Sequence, residues 1–318
     1  MRLCTAVILS LAATPVAGEF SLELPIDCIL DDTCHIQQFV DRDPTSGASD
    51  FQCGSLTYDG HKGTDFALPS LAAQAEGVAV LAAAPGRVVG VRNDMLDALQ
   101  NGPDAPDITD RECGNGVVIR HDDGWETQYC HMAQGSVTVI QNQIVAAGDT
   151  LGMVGLSGQT QFPHLHLSVR KNGDVVDPFD PDNSARCGPA TQTLWAQTIE
   201  TPAGGLITSG FSASVPEFAA IKAGAVGATE LAAQDPIVIW TYAFGSKPGD
   251  TLTLSITGPE GEVIRETVIL DRTQAQLFRA IGRRAPVGGW PAGDYEGQVL
   301  HERGETLLDT QSTSVVVR

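Results

Sequence analysis

Basic and aromatic residues are both scarce in this chain of 318 residues. Lys and Arg total 19 against 39 Asp and Glu, which gives a formal net charge of −20 at pH 7. Such a charge repels nucleic-acid phosphates and anionic lipid surfaces, and it argues against both as partners. Aromatic residues make up 6% of the chain whereas glycine occurs 34 times, a composition that favours a β-rich, turn-rich protein over a helical bundle.

Long apolar runs are missing after the N-terminal segment, so no later segment reaches the length of a membrane span. The first 18 residues have the pattern of a signal peptide. Arg2 supplies the charged start, “AVILSLAA” the short apolar region and “PVAG” the small residues of a cleavage site. This pattern predicts export to the periplasm or the exterior, with no membrane-spanning segment in the mature chain.

A CxxC pair is also absent, which argues against a thiolate metal site. Cys4 lies in the predicted signal peptide, and an even number of cysteines in the remaining exported chain predicts three disulfides. “GNGVVIRHDDGWETQY” has the pattern of a hairpin with its turn at residues 122–124, so we favour a bridge between Cys113 and Cys130, which flank it. The six cysteines are Cys28, Cys34, Cys53, Cys113, Cys130 and Cys187.

The distribution of short β-like runs predicts two domains. Residues 19–190 form the first, which is mainly β and carries an acidic insertion over residues 93–114. Residues 191–204 form a linker or docking segment. Several short strands over residues 205–318 predict an immunoglobulin-like β-sandwich. That second domain contains no cluster of histidine, cysteine or paired acids, so we interpret it as an accessory domain.

The stretch “QFPHLHLSVR” places two histidines, His164 and His166, in a predicted strand. Residues i and i+2 of a strand face the same side, so both rings project together, away from Leu165 and Leu167. Two such imidazoles can share a metal, or one can bind a metal while the other acts on a substrate. The motif alone is equally compatible with a pair of exposed or hydrogen-bonded histidines.

Two further segments add candidate ligands. In “YDGHKGTDFAL”, His61 and Asp65 are four residues apart in a segment whose glycines disfavour a helix, and an extended backbone allows both to face one way. With one histidine of “HLH” they make three ligands and leave a fourth position for water, the open arrangement of a catalytic zinc. “QYCHM” adds His131, so two spare imidazoles remain for proton transfer and oxyanion stabilisation.

Together these segments resemble the HxxxD, YxH and HxH signatures of lysostaphin/LytM-type zinc metallopeptidases. The resemblance covers roughly residues 55–180, and its three motifs occur in the order and spacing of that family. It implies a mainly β fold whose antiparallel sheet is of the duplicated-hybrid-motif type, with a groove over the sheet. It also implies that His61, Asp65 and His166 hold Zn²⁺ and that His131 and His164 are the catalytic pair.

The activity that this resemblance implies is that of a secreted or periplasmic zinc metalloendopeptidase, which hydrolyses peptide bonds in peptidoglycan cross-links or stems. One alternative is a catalytically silent module of the same scaffold that binds or activates another cell-wall hydrolase. Another is a general extracellular protease that uses the sandwich for substrate docking. A silent scaffold is expected to lack at least one of the five site residues, and all five are present here.

Overall fold

The computed structural model describes residues 19–100, 105–182, 186–188 and 190–318, so the predicted signal peptide lies outside the described residues. The described chain is mainly β, as predicted, with two helices of six residues each. Within these ranges, no helix has both the length and the apolar character needed to cross a membrane.

The first half of the chain forms one large antiparallel sheet and a two-stranded pair. The large sheet has the order β1-β2-β9-β6-β5-β4-β7, and β10 pairs with β9, while β3 pairs with β8 alone. The elements are β1 (His35–Gln38), β2 (Thr64–Ala67), α1 (Leu71–Glu76), β3 (Ala79–Leu81), β4 (Gly86–Arg92), β5 (Asn115–Arg120), β6 (Trp125–Met132), β7 (Ile144–Val145), β8 (Thr150–Met153), β9 (His164–Lys171) and β10 (Asp174–Val176).

Strand β9 shows the alternation that the sequence predicted. Leu165, Leu167 and Val169 are buried in the hydrophobic core below the sheet. The two histidines alternate with them and therefore lie on the opposite face. Antiparallel pairing with β2 on one side and β6 on the other makes β9 a central strand, so its polar face is held in the middle of the sheet.

The described part of the chain contains three disulfides, as the cysteine count predicted. The favoured hairpin bridge, Cys113–Cys130, is present, and the predicted turn over residues 122–124 is a short 3₁₀ helix. The two other bridges are Cys28–Cys34 and Cys53–Cys187. The last of these joins positions 134 residues apart and so ties two distant segments of the chain together.

The C-terminal half consists of two sheets that share a core. A three-stranded sheet has the order β11-β13-β16 and a five-stranded sheet the order β12-β18-β17-β14-β15, and side chains from both enter one hydrophobic cluster. The immunoglobulin-like assignment itself stays a prediction. The elements are β11 (Gly205–Ser212), α2 (Phe218–Ala223), β12 (Glu230–Leu231), β13 (Ile237–Ser246), β14 (Thr251–Gly258), β15 (Gly261–Ile269), β16 (Gln274–Arg283), β17 (Gly293–Arg303) and β18 (Thr306–Val317).

Strand β13 connects the two halves because both of its faces are buried. Ile237 and Ile239 point into the core between the two C-terminal sheets. Trp240, Tyr242 and Phe244 instead join the core of the first half. The C-terminal half is therefore packed directly against the sheet that carries the histidines.

The segment predicted as a linker or docking segment contributes to the same contact. Within it, Leu194 and Trp195 are buried in the first core, where the Trp195 ring contacts Phe66 and Phe179. At least this part of residues 191–204 therefore docks on the first half.

Candidate metal centre and active-site groove

Strand pairing places an aspartate opposite a histidine at the middle of the large sheet. In the β2–β9 ladder, Asp65 is the direct partner of His166. Directly opposite side chains of an antiparallel pair lie on the same face, so the carboxylate and the ring meet. Nδ1 of His166 lies 2.8 Å from Oδ1 of Asp65, and Nε2 of His61 lies 3.2 Å from each of these two atoms. Three potential metal-ligand atoms thus form a compact triangle.

The outer ring nitrogens of both histidines have partners of their own. Nδ1 of His61 donates a 2.7 Å hydrogen bond to the carbonyl oxygen of Phe39, so Nε2 is the ring nitrogen that faces the triangle. Nε2 of His166 lies 3.0 Å from the hydroxyl of Ser168, which leaves Nδ1 on the inner side. Such outer contacts fix the orientation of metal-binding imidazoles in proteins.

A glycine between the histidine and the aspartate of the HxxxD motif makes this approach possible. A Cβ atom on Gly63 would lie 2.5 Å from Nε2 of His166 and 2.6 Å from the carbonyl oxygen of Leu167. Both distances are far below van der Waals contact. A side chain at position 63 is therefore incompatible with the observed position of the His166 ring.

The two remaining histidines lie beside the triangle. Nδ1 of His164 donates to the carbonyl of Phe162 at 2.9 Å, and its Nε2 lies 3.6 Å from Oδ1 of Asp65. Nδ1 of His131 donates to the carbonyl of Ser157 at 2.8 Å. The two ring centroids are 4.6 Å apart, and each ring keeps an unprotonated Nε2 for other contacts.

A β-bulge directs His131 to this face. Between Tyr129 and Met132, strand β6 uses one residue more than the facing segment of β5 between Asn115 and Val117. His131 has a backbone φ of 63°, in the left-handed region that residues other than glycine rarely adopt. Bulges of this kind re-aim side chains next to active sites, and the extra residue explains why His131 does not follow Tyr129 into the core.

Burial shifts the ionisation of the group. The burial of His131, aided by the nearby rings of His164 and His166, places its pKa well below the usual value. Burial also lowers the pKa of His164, against the opposing effect of Asp65. Burial alone would raise the pKa of Asp65, but the surrounding histidines outweigh it and hold that pKa well below the usual value. Burial thus favours the neutral forms of His131 and His164, whereas the pKa of His61 is raised because the effect of burial is outweighed by Asp65 and the carbonyl of Phe39.

Four of the five predicted site residues, Asp65, His131, His164 and His166, line one groove of about 810 Å³. His61 contacts Asp65 and His166 from behind this lining. One wall comes from the first half, from Tyr58 and the segment over residues 159–162. The other wall comes from the C-terminal half, from α2 and the residues that lead into β16. This second wall carries Phe218, Lys222 and Arg272.

The structure brings the five predicted site residues together, but sequence reasoning missed their surroundings. It missed Thr160, whose hydroxyl lies 3.1 Å from Nδ1 of His164. It also missed the entire C-terminal wall, for which the sequence carries no local signal. Of the insertion over residues 93–114, none of the described residues lines the groove. His121, next to the hairpin turn, is buried, and its Nδ1 donates a hydrogen bond to the carbonyl of Pro85.

Two histidines and one aspartate on the face of an antiparallel sheet form a donor set that could hold a metal ion such as zinc. Residues 59–178 match the family described as Peptidase family M23. This segment of the chain therefore belongs to peptidase family M23, the lysostaphin/LytM-type family that the three motifs indicated.

Several relatives share parts of this domain. The chain is 41% identical over 70 residues to DD-carboxypeptidase/endopeptidase Mpg of Neisseria meningitidis, a match that covers 20% of this chain and 14% of that protein. It is 30% identical over 122 residues to peptidoglycan DD-endopeptidase ShyB of Vibrio cholerae, covering 38% and 23%. It is also 30% identical over 120 residues to murein hydrolase activator NlpD of Escherichia coli, covering 38% and 25%. The matches thus span a quarter or less of these three proteins.

Among solved structures, the chain is similar to the catalytic domain of the prophage-encoded M23 protein EnpA from Enterococcus faecalis. The sequence identity is 29%, the match covers 44% of this chain and 88% of that one, and the TM-score is 0.30.

Proposed function

We propose that the protein is an exported zinc metalloendopeptidase that hydrolyses peptide bonds in peptidoglycan cross-links or stems. One observation carries the proposal: the five residues of the family motifs are all present, and their side chains meet at one groove. The relatives named as peptidoglycan endopeptidases support the choice of substrate. Export rests on the signal-peptide pattern of the first 18 residues.

His61, Asp65 and His166 would hold the zinc ion. Bonds of 2.0–2.2 Å to nitrogen and oxygen in tetrahedral geometry place two donor atoms about 3.3 Å apart. The three donor atoms here are 2.8–3.2 Å from one another, so small adjustments suffice to accept the ion. When bound, zinc supplies Lewis-acid polarisation of a carbonyl and a lowered pKa for water.

His131 and His164 would act on protons. Both rings donate through Nδ1 to backbone carbonyls, so each presents a neutral Nε2 to the groove. A neutral imidazole at this position can accept a proton from the attacking water, and in its protonated form it can donate a hydrogen bond to the developing oxyanion. The backbone carbonyl partners hold both rings in these orientations and stabilise the charged form of either one.

A second candidate function is activation of another cell-wall hydrolase without catalysis. The similarity to the murein hydrolase activator NlpD favours this alternative. The observation against it is that a binding module has no need for the complete donor triangle or for two further imidazoles fixed by carbonyls. We therefore place the endopeptidase first.

For the domain organisation, we propose a metallopeptidase domain over residues 19–190, a docking linker over residues 191–204 and an immunoglobulin-like sandwich over residues 205–318. One hydrophobic cluster consists entirely of residues from 206 onward and supports this division, although Trp240, Tyr242 and Phe244 belong to the other cluster. The shared groove indicates that the second domain takes part in substrate binding.

Digestion of purified sacculi tests the proposed function. The mature protein should release soluble muropeptides, identified by mass spectrometry, and a chelator should abolish the release until zinc is restored. The activator role would instead be assigned if the zinc-loaded protein alone left sacculi intact and an added amidase digested them faster in its presence than in its absence.

A further inference from the structure

The groove carries an unusual balance of charge for this chain. Apart from histidines, the charged residues among the described groove lining are Asp65, Lys222 and Arg272. The Asp65 side chain is only 3% exposed and faces three histidines. The charge open to the groove is therefore positive, although the whole chain has a formal net charge of −20.

Both cations are available to a ligand. Across the described ranges of the chain, neither Lys222 nor Arg272 forms an ion pair with a carboxylate. Nζ of Lys222 lies 5.0 Å from the centre of the Phe218 ring, a cation–π contact that keeps the ammonium at the groove wall. Arg272 is exposed, and its backbone carbonyl accepts a hydrogen bond from the hydroxyl of Ser246.

Direct contacts hold this wall in place relative to the metal centre. The side-chain amide of Gln37 in β1 donates a 2.9 Å hydrogen bond to the carbonyl of Ala275, three residues after Arg272. Gln276 in turn donates to the Gln37 side chain at 3.2 Å. Because β1 pairs with β2, which carries Asp65, the Arg272 segment is bound to the sheet of the metal site.

Helix α2, which carries Lys222, is anchored in the same manner. The Phe218 ring stacks on Phe278 with centroids 5.2 Å apart, and it contacts Tyr242 edge-on. At the end of the helix, Gly224 lies so close to α1 of the first domain that a Cβ there would be 2.6 Å from the hydroxyl of Ser70. The backbone segments that carry Lys222 and Arg272 are therefore both held in place by contacts with the first half.

We propose that Lys222 and Arg272 form a carboxylate-binding subsite of the groove, which selects peptides that carry a free carboxylate near the scissile bond. This inference rests on the proposed endopeptidase function and names the substrate feature that the C-terminal domain recognises. Ammonium and guanidinium groups bind carboxylates through charge-assisted hydrogen bonds, the stronger class of such bonds. The two residues determine specificity and take no part in the chemical step.

Matched peptides and variants of the full mature chain test the subsite. The substrates are two synthetic cross-linked stem peptides, one with free carboxylates and one with the same groups amidated. The variants are Lys222→Gln, Arg272→Gln and the double variant. The control is the double variant Arg283→Gln/Arg284→Gln, which removes the same charge from exposed positions of the same domain outside the described groove lining.

Each groove substitution should lower kcat/KM for the free-carboxylate peptide by about 10-fold, and the double variant by about 100-fold. The amidated peptide should be cleaved at an unchanged rate, and the control variant should resemble wild type on both. The preference for the free carboxylate should also weaken with added salt, because exposed charges are screened. Equal losses on both peptides, or no loss on either, would overturn the subsite.

Binding separates this inference from the proposed function. Non-hydrolysable analogues of both peptides are titrated into zinc-loaded protein by calorimetry. If wild type prefers the free-carboxylate analogue and the groove double variant does not, the subsite stands, even where no cleavage is seen and the endopeptidase proposal fails. If wild type binds both analogues equally or binds neither, the subsite is refuted whatever the activity.

Discussion

The ring of His131 lies beside that of His164, with centroids 4.6 Å apart, although regular alternation along β6 would send His131 to the opposite face of the sheet. The left-handed backbone at His131 and the extra residue of the bulge produce this contact. Backbone strain of about 1–3 kcal/mol is typical at functional sites, where the surrounding structure holds it. Here the neighbouring Cys113–Cys130 bridge and the hydrogen bond from the His131 amide to the carbonyl of Cys113 hold the bulge.

Replacement of Gly63 by alanine should weaken zinc binding. The new methyl group would overlap Nε2 of His166 and the carbonyl of Leu167, so the ligand ring must move. We expect a loss of zinc affinity of at least 10-fold, measured by competition with a chelating dye. Gly90→Ala is the control, because a Cβ there meets only ordinary contacts of 3.5 Å with Val118. Unchanged zinc affinity in Gly63→Ala would contradict the assignment of His166 as a ligand.

The hydroxyl of Thr160 should matter through the position of His164. The hydroxyl lies 3.1 Å from Nδ1 of that ring and donates a 2.6 Å hydrogen bond to the carbonyl of Phe162. The same carbonyl accepts a hydrogen bond from Nδ1 of His164. Thr160→Val should lower kcat by roughly 3- to 10-fold with little change in KM or zinc content. Thr160→Ser keeps the hydroxyl and should restore the rate. If the serine variant is as slow as the valine variant, packing rather than hydrogen bonding explains the effect.

The three disulfides should stabilise the fold in the order of the loops that they close. Loop-closure entropy predicts about 2 kcal/mol for Cys28–Cys34, about 3 for Cys113–Cys130 and about 5 for Cys53–Cys187, whose cysteines are 6, 17 and 134 residues apart. Urea unfolding of the three double-serine variants measures this order.

Three or more free thiols in the mature wild-type chain would contradict the predicted exported state.

Acid should destabilise the fold through His35, which is buried between the two halves beside Phe244. Burial lowers the pKa of His35 to about 4, against 6.5 in an unfolded chain. The unfolded state therefore binds a proton first, so stability is lost as pH falls from 6.5 towards 4. Between pH 7 and pH 5 this group alone should remove about 2 kcal/mol.

Urea unfolding of wild type and His35→Gln across this pH range isolates that contribution. The glutamine variant should lose less stability than wild type on acidification, by about 2 kcal/mol at pH 5. Parallel pH profiles for the two proteins would show that the ring is protonated or exposed in the folded state.

Local patterns in the sequence predicted which side chains share one face of the sheet. The alternation of “HLHLSVR” placed His164 and His166 on one face, because side-chain direction in a strand follows from the backbone alone. The hairpin between Cys113 and Cys130 was likewise predictable, since its turn and both strands are contiguous. The ligand set of His61, Asp65 and His166 came from family motifs and remains a proposal, although the three side chains do meet.

Features that depend on distant contacts were not predictable. The contact of His131 with His164 requires the bulge, which arises from a mismatch of one residue between two paired strands. The second wall of the groove requires the hydrogen bond from Gln37 to Ala275, whose residues are 238 positions apart. No periodicity or motif near Lys222 or Arg272 indicates that they lie beside a metal site. The interpretation of the C-terminal half as an accessory domain therefore did not foresee that its residues line the groove.

The division of roles within “HLH” is the central claim, and one paired measurement tests it most directly. Zinc content and muropeptide release are determined on the same preparations of wild type, His164→Ala and His166→Ala. We expect one equivalent of zinc and a 10²- to 10⁴-fold loss of turnover for His164→Ala, and far less than one equivalent of zinc for His166→Ala. Near-wild-type turnover of zinc-loaded His164→Ala, or full zinc in His166→Ala, would contradict the account.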